Sequence, residues 1–332
     1  MAPPSQPSPD RKDPASLFDA AQAGDRVALA RLLSLIERGG PPSRVIAELA
    51  YQTKLATYTV GITGAPGAGK STLTDQLIAI ARETGQVGVL AIDPSSPFSG
   101  GAILGDRVRM QNHALDDSVF IRSMATRGHL GGLAVAVPDA VRVLSAAGFP
   151  MVFIETVGVG QQDVSVASAA DTTVVVVNPG WGDAIQANKA GLMEIADLFV
   201  INKADRPGAR ETRRDLDQML DLTALDDWRP SIVETVASSG DGCQQLWDAI
   251  GEHRAHQEDR GRLEDRRRQR LEREFRQIVT ARVEQRIHSP RFASLLGEVT
   301  DALAVGDIDP YQAADRMLSA IADAPADDTD SV

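Results

Sequence analysis

The sequence predicts an α/β protein, in which a doubly wound, mostly parallel sheet is preceded by N-terminal helices and followed by a helical arm. From Tyr58 onward, short apolar runs alternate with amphipathic segments, which is typical of strands covered on both faces by intervening helices. Before Tyr58 and after about residue 257 the pattern is helical. The 332 residues suffice for one large domain with helical additions.

The segments and elements follow from these patterns and from local signals such as Asp13-Pro14, an N-cap followed by a first-turn proline. We expect disordered tails at 1–12 and 324–332, a helical extension at 13–56, an α/β domain at 57–257 and a helical arm at 258–323. Strands are predicted at 58–63, 87–92, 151–155, 173–178, 198–202 and 231–235. Helices are predicted at 14–23, 26–37, 42–54, 70–84, 138–147, 184–195, 209–220, 243–256 and 310–323.

The arm begins with a highly charged helix. Ten arginines lie between Arg260 and Arg286, interleaved with acids, and this favours a solvated face with ion pairs over a nucleic-acid surface. An apolar stripe recurs every four residues, which requires either the body of the protein or a second subunit to pack on it. The stripe residues are Leu271, Phe275, Val279, Val283 and Ile287, and Pro290 ends the helix.

The composition excludes several kinds of protein. No apolar run approaches the ~18 residues that a bilayer-spanning helix needs, and the single cysteine, Cys243, excludes an internal disulfide and a multi-thiolate metal site. With 46 acidic and 34 basic residues the net charge is −12, so we expect neither nucleic acid nor a membrane as a partner. The first twelve residues do not resemble a secretory signal, and we expect a cytoplasmic protein.

A phosphate-binding motif follows the first predicted strand. Residues 64–71 read GxxxxGK[ST] between a strand and a helix, the context that this motif requires. The glycines let backbone N–H groups turn toward phosphate oxygens, Lys70 is placed to bridge the β- and γ-phosphates, and Ser71 is placed to bind Mg²⁺. The sequence therefore predicts a P-loop NTPase. The expected nucleotide contacts in this loop are Gly64, Ala65, Pro66, Gly67, Ala68, Gly69, Lys70, Ser71 and Thr72.

A second motif predicts that the base is guanine. Residues 202–205 read NKxD and follow an apolar strand. The Asp205 carboxylate can accept hydrogen bonds from N1–H and the 2-amino group of guanine, whereas adenine would leave it unpaired. Asn202 belongs to the same motif, and Lys203 is expected to lie along the base. Further backbone contacts to guanine are expected at Val236, Ala237 and Ser238.

Acidic residues at strand ends are the candidates for metal binding and hydrolysis. Glu155 ends a strand and precedes Gly158, where many GTPases have Asp-x-x-Gly. A carboxylate there can hold Mg²⁺ directly or through water, and the Gly158 N–H is expected at the γ-phosphate. Asp93 and Asp106 are candidates for the metal site or for orienting water, and a loop or helix-cap role is the alternative for Asp106. The predicted catalytic residues are Lys70, Asp93, Asp106 and Glu155. The predicted metal ligands are Ser71 and the same three carboxylates.

The combination of GAPGAGKST, AIDPSSPFSGGAILGDRVRM, FIETVGVGQQD, NPGWGDAIQANKAG and NKAD resembles the MeaB/ArgK family of SIMIBI-class P-loop GTPases over residues 15–325. The resemblance implies GTP/GDP and Mg²⁺ as ligands and a homodimer joined through the C-terminal helices. It also implies that the protein is a chaperone and gatekeeper of an adenosylcobalamin-dependent acyl-CoA mutase, with methylmalonyl-CoA mutase as the expected partner. GTP binding and hydrolysis would be coupled to cofactor loading and to protection of the mutase.

The resemblance further implies three switch segments. Asp93 falls in the first switch, Asp106 falls in the adjoining metal-sensing segment, and residues 155–162 fall in the second switch. There, Gln161 is a candidate for orienting water, with an ordinary polar loop role as the alternative. The third switch, over residues 178–189, would respond to the mutase. Its expected partner-facing residues are Asp183, Gln186 and Lys189, for which a surface loop with a helix cap is the alternative.

Three other functions are alternatives for a chain with a phosphate-binding motif of this kind. A nickel-insertion GTPase would need Cys or His ligands, and here Cys243 is accompanied only by scattered histidines. An ArgK-like kinase would need an acceptor-hydroxyl site and normally adenine specificity, which Asp205 opposes. A non-catalytic module that holds GTP as a structural ligand would not need the intact Lys70, Ser71 and Glu155.

Overall fold

The fold is taken from a computed structural model of the chain. It describes residues 13–53, 57–94, 113, 116–126, 132–156, 169–180, 194–223 and 228–324. The chain divides into two compact units, Met1–Arg270 and Leu271–Val332.

A parallel sheet forms the centre of the first unit. Its strands are β1 (Tyr58–Gly64), β2 (Val87–Pro94), β3 (Val119–Thr126), β4 (Met151–Thr156), β5 (Thr172–Val177), β6 (Leu198–Asn202) and β7 (Ser231–Thr235). The strand order is β3-β2-β4-β1-β5-β6-β7, and every pairing between these described strands is parallel. The chain builds the sheet outward in both directions from β1, which confirms the predicted doubly wound α/β class.

Helices precede, cover and follow the sheet. In the described residues they are α1 (Pro14–Gln22), α2 (Arg26–Arg38), α3 (Pro41–Gln52), α4 (Lys70–Ala81), α5 (Gly132–Ala146), α6 (Ala209–Leu222), α7 (Cys243–Asp259), α8 (Arg262–Ile287), α9 (Ala293–Val305) and α10 (Pro310–Asp323). A 3₁₀ turn over Pro290–Phe292 precedes α9, a helix that the sequence patterns do not predict. The predicted helix at 184–195 lies almost wholly outside the described residues. None of the helices in the described ranges has the length and apolar character needed to cross a membrane.

The two faces of the sheet have separate apolar cores. On one face, α4 and α7 pack over residues such as Ile62, Phe153 and Val200. On the other face, Leu90 and Ile154 contact a core that includes α5 and the three N-terminal helices. Further along that face, α6 packs over β5 and β6. Helices on both faces explain why central strands such as β5 and β6 read as apolar runs.

Strand β3 is a seventh strand beyond the six that the sequence predicts. Arg122 and Ser123 interrupt its apolar residues, so no fully apolar run marks it. As an edge strand it pairs only with β2 among the described strands. Arg122 reaches out of the sheet and donates from Nη2 to Glu37 Oε2 of α2 at 2.8 Å. This polar contact to a helix is the physical reason for the broken apolar pattern.

Buried ion pairs join the amino ends of the strands to α8. Asp171 accepts a hydrogen bond from Arg267 (Nη2 to Oδ2, 2.7 Å) and pairs with Arg270. Asp197 accepts a hydrogen bond from Arg266 (Nη2 to Oδ1, 2.9 Å). Burial disfavours the charged form of both carboxyls, but the arginines, and His253 beside Asp197, outweigh it and hold both pKa values below their usual range. The start of α8 is therefore bound to the sheet.

His253 of α7 completes this cluster, which we call the amino-edge network (Tyr58, Asp171, Thr172, Asp197, His253, Arg266, Arg267 and Arg270). Its Nδ1 lies 2.8 Å from Thr172 Oγ1, and its Nε2 lies 3.3 Å from Asp197 Oδ1. The Thr172 hydroxyl is also 2.6 Å from the hydroxyl of Tyr58, whose pKa is raised by burial. Thr172 and His253 are 0% and 2% exposed, so this Thr-His-Asp arrangement is closed to substrates and serves the structure.

The second unit has a small core of its own, formed by Phe292, Val299, Ala313, Met317 and Ile321. The stripe of α8 behaves in two ways. Val283 and Ile287 pack against this core, whereas Leu271, Phe275 and Val279 are 40%, 65% and 44% exposed. Three of the five stripe residues therefore remain accessible in the single chain.

Candidate active site

The phosphate loop lies between β1 and the first turn of α4, as the motif predicts. Gly64 has φ +131°, and a Cβ at this position would lie 2.0 Å from the carbonyl oxygen of Val176. Gly69 has φ +92°, and a Cβ there would lie 2.4 Å from Asn202 Nδ2. Both positions therefore require glycine, for backbone conformation and for space. Of the remaining predicted contacts, Ala65 and Ala68 are buried, and Pro66, Gly67 and Thr72 are exposed.

Lys70 is held in place by the loop itself. Its side chain is buried, and Nζ donates to the carbonyl oxygens of Gly64 at 2.8 Å and Ala65 at 3.1 Å. Because Lys70 is the first residue of α4, its charge adds to the positive end of the helix dipole. The loop and this lysine therefore provide an anion-binding site suited to phosphate.

Ser71 and Glu155 form the oxygen-donor pair beside this site. Ser71 Oγ donates to Glu155 Oε1 at 2.6 Å, and both side chains are buried. Glu155 lies in β4 at the position paired with Ile62 of β1, so parallel pairing brings its carboxylate to the loop. A hydroxyl and a carboxylate are ligands that Mg²⁺ accepts, so these residues fit the predicted metal. Mg²⁺ bound there would neutralise charge on phosphate oxygens.

Several predicted site residues are beyond what the structure describes. Six of them lie outside the described residues: Asp106, Gly158, Gln161, Asp183, Gln186 and Lys189. Asp93 is described by its backbone, near the end of β2. The register pairs Ala91 of β2 with Glu155, which places the backbone of Asp93 at the same edge of the sheet.

The base motif lies beside the phosphate loop. Lys203 has φ +59° and donates from Nζ to the carbonyl oxygen of Gly67 at 2.6 Å. Asn202 Nδ2 donates to the carbonyl oxygen of Ala68 at 2.7 Å. Asp205 is exposed, in the turn after β6, so its carboxylate is accessible to a base. The structure thus brings together two motifs that are far apart in the chain.

A third loop joins the same place through Asn202. The Asn202 Oδ1 accepts hydrogen bonds from the Ala237 backbone N–H at 3.0 Å and from the Thr235 hydroxyl at 3.1 Å. Val236 is partly buried and Ser238 is exposed in this loop. No sequence motif points to Thr235, and its position as the last residue of β7 is the only available signal.

Comparisons with known proteins identify the family of the chain. The family model described as "Methylmalonyl Co-A mutase-associated GTPase MeaB" matches residues 29–291. A GTPase-named protein of Pyrococcus abyssi is 51% identical over 310 residues, which cover 92% of this chain and 96% of that protein. The "Methylmalonic aciduria type A homolog, mitochondrial" of Mus musculus is 35% identical over 256 residues, which cover 71% of this chain and 62% of that protein.

A solved structure supports the fold. The crystal structure described as LAO/AO transport system kinase matches with a TM-score of 0.70 and 26% identity, and the match covers 96% of this chain and 99% of that one. Together with the family match and the GTPase-named relatives, this confirms both the P-loop fold and the enzyme class predicted from the motifs. The chain is a P-loop GTPase, and it belongs to the MeaB family.

Proposed function

We propose that this GTPase is a chaperone and gatekeeper of an adenosylcobalamin-dependent acyl-CoA mutase, in the first place methylmalonyl-CoA mutase. GTP binding and hydrolysis would control cofactor loading and protect the mutase from inactivation. The observation that carries this proposal is the family match over residues 29–291, because the family's description names the mutase. The mouse relative named for methylmalonic aciduria supports the same partner. The cytoplasm is the location that we propose for this GTPase.

The site residues have distinct proposed roles. GTP and GDP would lie on the loop over 64–72, with Lys70 at the β- and γ-phosphates and Asn202, Lys203 and Asp205 at the base. The proposal is supported by the hydrogen bonds that join these loops. Further nucleotide contacts are proposed for Gly158, Val236, Ala237 and Ser238. Mg²⁺ would be held by Ser71, Asp93, Asp106 and Glu155.

The physical basis of the coupling is a two-state switch. The γ-phosphate and Mg²⁺ make contacts only before hydrolysis, so the loops that sense them change state afterwards. A partner that binds one state better shifts the equilibrium toward that state. By linkage, the partner changes the affinity for the nucleotide by the same factor as the nucleotide changes the affinity for the partner. Residues Gln161, Asp183, Gln186 and Lys189 are proposed to carry this signal to the mutase.

A homodimer is the proposed assembly. Leu271, Phe275 and Val279 form an exposed apolar face on α8, and covering it with a second copy would remove apolar surface from water. This face lies in the segment that we propose as the dimerisation arm.

The decisive experiment measures GTP turnover by the purified protein with and without the mutase of the same host. We expect slow hydrolysis alone and faster hydrolysis with the mutase. Lys70→Ala, which loses the phosphate-binding ammonium, is the control for contaminating activity and should stay inactive in both conditions. Equal rates with and without the correct mutase would refute the coupling.

The same assays separate this proposal from the kinase and nickel alternatives. A kinase would transfer the γ-phosphate to an acceptor hydroxyl, so labelled GTP would yield a phosphorylated product instead of inorganic phosphate. A nickel-insertion protein would bind Ni²⁺ stoichiometrically in equilibrium dialysis. Either result would replace the mutase proposal.

A further inference from the structure

Two buried threonines face each other where β1 and β4 reach the active site. Thr63 Oγ1 and Thr156 Oγ1 are 3.0 Å apart, and both residues are 0% exposed. The register pairs Ile62 with Glu155, so the two threonines are the next residues along each strand. Thr63 directly precedes the phosphate loop, and Thr156 directly follows Glu155.

The threonine contact and the Ser71–Glu155 contact lie on opposite faces of the sheet. Successive side chains of a strand project to opposite faces. Glu155 projects toward α4, where it accepts the hydrogen bond from Ser71, so Thr156 projects to the other face. Hydrogen bonds on both faces of the sheet therefore connect the backbone that carries Glu155 to the phosphate-loop region.

Stability alone does not explain two hydroxyl groups at this position. Valine has nearly the shape of threonine, and a buried hydroxyl is unfavourable unless it is hydrogen-bonded. Two described neighbours on this face are apolar: Val175, which pairs with Thr63 in the register, and Ile154, which precedes Thr156 by two residues. A hydrogen bond is directional, however, and fixes the relative position of two strands more narrowly than apolar contact does.

We propose that Thr63 and Thr156 are positioning residues for GTP hydrolysis. Their hydrogen bond sets the distance between Glu155 and the start of the phosphate loop, where the Gly64 carbonyl oxygen holds Lys70 Nζ at 2.8 Å. A slight displacement of groups that act in the transition state lowers kcat more than it weakens substrate binding. The pair acts on the reaction through Glu155 and the loop.

The test compares Thr63→Val, Thr156→Val and the double variant in GTP hydrolysis. Each single variant is expected to lower kcat about three- to tenfold and to change KM less than about twofold. The double variant is expected to be no slower than the slower single variant, because both remove the same hydrogen bond. The Mg²⁺ concentration for half-maximal activity is expected to rise, since Glu155 belongs to the proposed metal set.

Thr57→Val is the matched control. Thr57 precedes β1, is 0% exposed, and donates from its hydroxyl to the carbonyl oxygen of Phe149 at 2.5 Å, at the edge of the sheet opposite the active site. This variant is expected to lower Tm as much as Thr156→Val does and to leave kcat unchanged. If Thr57→Val slows hydrolysis equally, the effect is one of stability and the proposal is wrong.

Serine variants keep the proposal testable where a valine variant does not fold. Thr63→Ser and Thr156→Ser retain the hydroxyl, so we expect both to keep the kcat of the unchanged protein. Reduced kcat in the serine variants would overturn the proposal. So would folded valine variants with an unchanged kcat, or a double variant whose loss is the product of the two single losses.

Discussion

At the scale of single residues, Asn202 has a larger structural role than its motif indicates. The NKxD pattern predicts a residue at the guanine base. In the structure the Asn202 amide also connects the phosphate loop, at Ala68, to the loop after β7, at Ala237. Ala237 is 35 residues beyond Asn202, and no local sequence pattern indicates a contact between residues so far apart. The motif could be read from the sequence, but the contact that joins the loops could not.

The side chain of Asp205 is predicted to determine the preference for GTP over ATP. We expect Asp205→Asn to lose its preference for GTP over ATP, with GTP affinity falling by about tenfold or more, because the amide cannot accept both guanine hydrogen bonds. Isothermal titration calorimetry with both nucleotides measures this directly. Asp259→Asn, which removes the same charge from an exposed position at the end of α7, should bind GTP normally. A variant at 205 that still prefers GTP would contradict the assigned role.

At the scale of helices and strands, the sequence predicted an element correctly where its surroundings require one type of residue, such as apolar residues in a fully buried strand. Strands such as β5, covered on both faces, read as apolar runs. Helices α1 and α2 directly follow Asp13 and Asp25, whose carboxylates accept hydrogen bonds from the first turn. The pattern failed at β3, because its Arg122 serves an ion pair with α2. A polar residue with a distant partner looks in the sequence like the end of an element.

The amino-edge network predicts how stability depends on pH. The pKa values of Asp171 and Asp197 are lower in the folded protein than in the unfolded chain, so both carboxylates stabilise the fold above the unfolded pKa, near 4. As the pH falls through the folded values, this contribution is lost. We therefore expect Tm to decline from about pH 4 downward, as measured by calorimetry across a pH series.

Replacing one carboxylate tests that dependence. Asp171→Asn should unfold at a lower temperature at pH 7, because Arg267 and Arg270 lose their counter-ion; breaking a buried pair costs about 3–5 kcal/mol. Its Tm should also decline less steeply in acid. Asp19→Asn, at an exposed position on α1, provides the comparison. Parallel pH curves for Asp171→Asn and the unchanged protein would show that this carboxyl does not control acid stability.

At the scale of the whole molecule, the sequence predicted an apolar stripe on α8 but not how the fold uses it. Val283 and Ile287 pack within the second unit, and Leu271, Phe275 and Val279 remain accessible. Helical periodicity shows which residues share a face, but it does not show which length of that face is already covered. Val283 and Ile287 are covered because residues of α9 and α10 pack against them, and the periodicity of α8 alone does not indicate these contacts.

The accessible part of the stripe predicts the oligomeric state. We expect the unchanged protein to sediment as a dimer and Phe275→Asp to sediment as a monomer, because a carboxylate buried in an apolar interface would have no partner. Analytical ultracentrifugation distinguishes the two states. Tyr311→Asp changes an aromatic residue of α10 that is 84% exposed, and it should remain dimeric. A monomeric unchanged protein would refute this assembly.

The way α8 is attached determines where the chain can be shortened for biochemical work. Deleting everything after residue 257 would spare the sheet and both nucleotide motifs, yet it would remove the three arginines that neutralise Asp171 and Asp197. Both carboxylates would then lose these counter-ions, and the fragment should unfold at a lower temperature than the full chain at neutral pH. A fragment that ends just beyond Arg270 would retain these cations, which makes it the suitable length for studying hydrolysis in isolation.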